Sequence, residues 1–137
     1  MILVDDRLAL EVLAGRRHVV GATADDRIAT TWGFHYRLVR ALTDTSRTGQ
    51  LSGNAPDAQV LEAVLTPRAS DLEVLDPRDV TREAAAAAVL HGLNLLAAEL
   101  VAAATHHHAT IALSSTNVGR GWPAVFAAEG IELRTVP

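Results

Sequence analysis

The sequence predicts an α/β fold, a three-layer α/β/α sandwich with a mainly parallel sheet of four or five strands. Two observations carry that expectation. Ile2-Leu3-Val4 is an apolar run with no polar alternation, which suits a strand covered on both faces. Downstream, strand-like and helix-like segments take turns, and strands separated by helices need crossover connections, which favour parallel pairing. A chain of 137 residues, 49% hydrophobic, is long enough to bury one core without staples, so one domain over residues 1–137 is expected.

The elements follow in order. The first strand opens at Asp5, and Leu8, Leu10, Val12 and Leu13 then trace a helix stopped by Gly15. From Asp25 to about Asp44, Ile28, Trp32, Val39 and Leu42 fall at i, i+4, i+11 and i+14, a helical stripe that His35 shares and that Arg37 and Arg40 avoid. Thr45 through Pro56 is rich in Ser, Thr, Gly and Asn and reads as a mobile loop. A short helix over Pro56 to Leu65 and a strand over Leu72 to Leu75 come next. Asp79 to Leu90 is an alanine-rich helix closed at Gly92, and Asn94 caps another that runs to about Thr105. Ala109 to Leu113 reads as a strand, Pro123 to Ala128 as a helix closed by Gly130, and Ile131 to Val136 as the last strand.

Composition narrows the function classes. The net charge of −4 argues against a protein that coats nucleic acid by bulk electrostatics. Residues 1–50 hold seven Arg against six acids and residues 51–137 five against ten, so any polyanion contact is expected in the first half. Cysteine is absent, which removes disulfides, thiolate catalysis and cysteine-ligated zinc. Glu83, His91, Asn94 and Glu99 interrupt the alanine-rich region before it reaches the ~18 residues of a membrane span. Asp5 and Asp6 stand where a signal peptide would be apolar, so the expectation is a cytoplasmic protein with no membrane partner.

Met1-Ile2-Leu3-Val4-Asp5 followed by Leu8 and Leu10 resembles the opening of PIN domains, ribonuclease domains in which a strand delivers the first metal-binding Asp. Val74-Leu75, the alanine-rich helix, His91-Gly92-Leu93-Asn94, Ala109-Thr110-Ile111-Ala112-Leu113 and Gly130-Ile131-Glu132-Leu133 are similar to the C-terminal half of that family in order and spacing. The resemblance covers most of the chain and is poorest over residues 45–70. It implies about four acidic residues holding one or two divalent ions that activate water against an RNA phosphodiester. Asp5 matches the first position. Asp6 stands where Ser or Thr is commoner, with its side chain turned away if the strand continues. No acid lies between Gly33 and Arg37, where the second belongs. Ala97 takes the third position, and Ser114-Ser115-Thr116-Asn117 follows the strand that should carry the fourth. Glu99 is the nearby substitute, rotated about 200° along the helix from Ala97.

The resemblance therefore implies a degenerate relative of the toxin ribonucleases of bacterial toxin–antitoxin pairs, acting as an RNA- or protein-binding module. Its expected partners are RNA, an antitoxin-like protein and a second copy of itself, and no cofactor is expected. The alternative is an active Mg- or Mn-dependent endoribonuclease in which Asp5, Asp6 and Glu99 bind the metal and Asp5 and Glu99 are catalytic. Ser115, Thr116 and Asn117 are neutral cleft residues in either case. Tyr36, Arg37, Arg40 and Arg47 form a basic face suited to phosphate contact and base stacking, or else a solvated helix face. Asp5 could equally cap the first helix. His106-His107-His108 point in different directions on a helix and read as its C-terminal end rather than as metal ligands. Gly119-Arg120-Gly121 lacks the spacing of a phosphate-binding loop.

Overall fold

A computed structural model describes residues 1–48, 58–68 and 71–137, with the side chains of residues 45–48 and 58–61 also outside the description. The strands are β1 (Ile2–Val4), β2 (Ile28–Thr30), β3 (Glu73–Val74), β4 (Thr110–Ser114) and β5 (Leu133–Val136). They form one five-stranded sheet in the order β3-β2-β1-β4-β5, and every pair is parallel. The unalternated run at Ile2 to Val4 is its central strand. Ile2 lies level with Ile28 on one side and Thr110 on the other.

Strand residues alternate between two buried clusters, so both faces are covered. Leu3, Ala29, Ile111 and Leu113 face a cluster that holds Leu100 and Val101 of α5 (Leu95–His107) and Phe126 of α6 (Trp122–Ala128). Ile2, Val4, Ile28 and Ala112 face the opposite way. They pack with Leu8 and Val12 of α1 (Asp6–Leu13), Leu38 and Leu42 of α2 (Trp32–Thr48), and Val64 of α3 (Ala58–Leu65). Phe34, in the first turn of α2, belongs to the α5 cluster instead.

A fourth layer of packing is local. α4 (Thr81–His91) lies outside α5, with Val80 and Ala84 against Ala98 and Ala102. Small side chains on both helices let the backbones approach closely. α5 is consequently buried without a break from Ala97 to Ala104, which is why its apolar residues show no helical stripe. Asn94 caps it by accepting from the Ala97 amide at 3.0 Å, as the sequence predicts. At the other end His108 adopts a left-handed conformation (φ 51°) and its amide closes the helix on the Ala104 carbonyl.

Two expectations change. The helix expected from Asp25 is β2 followed by α2, so Ile28 is a strand residue, and the buried face of the helix is Phe34, Leu38 and Leu42. Trp32, which the stripe would bury, is 46% exposed at the helix start. α2 continues past Asp44 to Thr48, and the rest of the expected loop lies outside the described residues, as does the predicted helix start at Pro56. Among the described residues no single helix is long and apolar enough to cross a membrane.

Candidate functional site

All five strands run the same way, so their C-terminal ends share one edge of the sheet. β1 leads to β2 on one side, and β4 leads to β5 on the other. The order therefore reverses between β1 and β4, and in parallel α/β sheets the crevice above such a reversal is where ligands bind. Asp5 follows β1 and Ser114 ends β4, so chain topology alone delivers both to this crevice.

Asp5 is fully buried. Its Oδ1 accepts from the Leu8 amide at 2.8 Å, which makes it the N-cap of α1. Its Oδ2 accepts from the Ser114 amide and hydroxyl, both at 2.7 Å, and from Asn117 Nδ2 at 3.0 Å. The cap and the site are thus one side chain.

Asp6 turns toward Asn117 and Arg37. The Asn117 Nδ2 group donates to Asp6 Oδ1 at 2.7 Å while also donating to Asp5, so a single amide bridges the two carboxylates. Arg37 lies 3.3 Å from Asp6 Oδ2 and stands over the Phe34 ring at 5.5 Å from its centroid. Burial pushes the Asp6 carboxyl above its ordinary value of 3.8; Arg37 opposes that, and the nearby Asp5 charge adds to it. The Arg37 contact with Asn117 Oδ1, at 3.5 Å, is long for a hydrogen bond.

Glu99 sits elsewhere. It is 5% exposed, and its Oε2 accepts from the Gly33 amide at 2.9 Å, in the first turn of α2. A carboxylate there satisfies an amide with no partner inside the helix and lies at the positive end of the helix dipole. A Cβ on residue 33 would stand 2.7 Å from Glu99 Oε2 and 2.9 Å from Leu96 Cδ2, so only glycine leaves room for this approach. Glu99 enters, from α5, the same segment in which the resemblance looks for an acid and finds none. Ala97 faces the core.

The structure thus brings Asp5, Asp6, Asn117 and Arg37 together and adds Ser114, which the sequence reading places at the fourth position but does not count among the cleft residues. The parallel register held the clue, because Val4 pairs with Ala112 and Ser114 lies two residues beyond. Ser115 and Thr116 are exposed, and the Thr116 hydroxyl is 3.4 Å from that of Ser114. Tyr36 and Arg40 are exposed on α2, and Tyr36 stacks on Trp32 with ring centroids 5.5 Å apart. The side chain of Arg47 lies outside the described residues. Among the described residues no three acids or histidines gather as a metal-holding group. Compared with known proteins, the chain matches no family model and no curated protein.

Proposed function

We propose that this chain is a PIN-like module that works by binding a protein partner and does not cleave RNA. The all-parallel sheet with Asp5 at the end of its central strand is consistent with a PIN-like fold, as it is with the broader Rossmann-like class. The observation that carries the reading is the Asn117 amide, which donates to both Asp5 and Asp6. A divalent ion needs oxygen lone pairs turned toward it, and here those oxygens face N–H and O–H donors and a guanidinium. The residues present do not fit Mg²⁺ or Mn²⁺. In the competing reading, a metal-dependent endoribonuclease, Glu99 would have to join Asp5 and Asp6, whereas among the described residues no three acids gather.

A protein partner is favoured over RNA because α4 and the start of α5 offer large apolar side chains to solvent. Val89 and Leu90 on α4 are 88% and 74% exposed, and Leu95 is also exposed. Isolated exposed apolar residues are ordinary, but these adjoin an alanine-rich helix surface that a second copy or an antitoxin-like protein would cover. Arg37, the centre of the expected basic face, is engaged by Asp6.

The test is a cleavage assay in Mn²⁺ on structured and unstructured RNA, run beside light scattering. No metal-dependent cleavage is expected, together with an assembly larger than one chain that Val89→Glu with Leu90→Glu reduces to monomer. Robust cleavage abolished by both Asp5→Asn and Glu99→Gln would establish the enzyme instead. RNA affinity whose salt dependence falls on replacing Arg37 and Arg40 together would replace the protein partner with RNA.

A further inference from the structure

An apolar groove of about 400 Å³ runs between α4, α5 and the start of α2. Trp32, Val80, Ala84, Leu95 and Ala98 form its walls, and Glu99 lies among them. Its volume is in the range of about 300–1,000 Å³ typical of small-molecule sites, which are mostly apolar with a few placed polar groups. Among the described residues Glu99 is the one ionisable group in this wall. Thr81, also in the wall, spends its hydroxyl on the Pro77 carbonyl at 2.6 Å.

Glu99 is incompletely satisfied. Oε2 has the Gly33 amide, whereas Oε1 has no hydrogen-bond partner among the described residues, and the residue as a whole is 5% exposed. With no protein donor, this oxygen takes its donor from water, and a ligand that displaces that water from the groove must donate in its place. The Trp32 indole in the same wall, stacked on Tyr36, adds an aromatic surface that favours a cation.

We propose that this groove is a binding site for a small organic cation, an ammonium or guanidinium on an apolar body, whose charged head donates to Glu99 Oε1. The apolar body replaces water along Val80, Ala84 and Ala98, and the head group puts a charged donor on Glu99 in place of water. A neutral ligand of the same shape gains the first contribution but not the second. An anion meets Glu99 at close range and is excluded. The assignment does not depend on the non-cleaving reading, since it does not involve the Asp5 network; the groove does share Leu95 and α4 with the surface offered to a protein partner.

Amide NMR titration of the full chain tests it, with phenethylammonium as the cation, phenethyl alcohol as the neutral counterpart and hydrocinnamate as the anion. Saturable shifts at Gly33, Ala84 and Ala98 are expected with the cation, with the alcohol about tenfold weaker or worse and the anion silent. Glu99→Gln should reduce the cation to the level of the alcohol. Should that variant fail to fold, Ala85→Phe serves, because it fills the groove from an exposed helix position while leaving Glu99 in place, and it should abolish binding of both. Equal affinity for cation and alcohol in the wild type, no saturable shift with any probe, or cation binding indifferent to Ala85→Phe would overturn the proposal. So would binding of an arginine-bearing amphipathic peptide without binding of the small cation, or Mn²⁺ broadening centred on Glu99.

Discussion

Four donors converge on Asp5: the Leu8 amide, the Ser114 amide and hydroxyl, and the Asn117 amide group. Asp5→Ala leaves the Leu8 and Ser114 amides without an acceptor in a buried site, where each unsatisfied group typically costs about 1–3 kcal/mol, while the Asn117 amide keeps Asp6 and the Ser114 hydroxyl has that of Thr116 within 3.4 Å. Partial rearrangement lowers that sum, so a loss of about 3 kcal/mol is expected in urea unfolding, enough to make any functional defect of this variant ambiguous. Asp6 gives a pH signature. Its folded value lies above the ordinary 3.8, chiefly through burial, so the native state holds this proton more tightly than the unfolded chain. Its contribution to stability is therefore largest below 3.8 and declines as pH rises through the folded value. Asp6→Asn should remove that decline, so that the variant gains on the wild type with rising pH across this window; urea midpoints at several pH values would show it, and a constant difference would refute it. Asp5 was legible in the sequence, because a carboxylate after a buried apolar run must sit at a strand end. Its partnership with Asn117 was half legible: Asn117 was expected as a neutral cleft residue, but not as the donor that bridges the two carboxylates.

Helix α2 shows what sequence pattern conveys about an element and what it does not. Ile28-Ala29-Thr30 is too short to display a strand period, and Ile28 happens to stand four residues before Trp32, so it joined a helical stripe. The longer elements, α4 and α5, were legible through Gly92 and Asn94, residues with a specific role at helix ends. The pairing of Glu99 with Gly33 spans 66 positions and depends on how α5 lies across the start of α2, which no local pattern encodes. Gly33→Ala tests that contact. Alanine is ordinarily favoured over glycine inside a helix by about 1 kcal/mol. Here the added methyl would displace the carboxylate that satisfies the residue's own amide, and overpacking of this kind costs about 1–3 kcal/mol. A net destabilisation of about 1 kcal/mol is expected in thermal or urea unfolding, and a stabilised variant would mean that Glu99 moves aside freely.

At the scale of the whole molecule, a mainly parallel sheet was legible because crossovers dominate the chain, although the sequence could not fix which strands flank β1. The register answers that: Ile2 pairs with Thr110, so the middle of the sheet joins the first few residues to the last quarter of the chain. Such non-local pairing is slow to form, since a long loop must close before the contact is made. For a nascent polypeptide emerging from the ribosome this imposes a wait. The segment Ile2 to Val4 has no β4 to pair with until Thr110 to Ser114 has been made, and an apolar strand with an unpaired edge invites association with other chains. Shielding by a chaperone would matter most during that interval. Ribosome-bound chains truncated before Thr110 should be digested readily by protease, whereas chains extended through Val136 and clear of the exit tunnel should become resistant; early resistance would show that β1, β2 and their helices fold without β4.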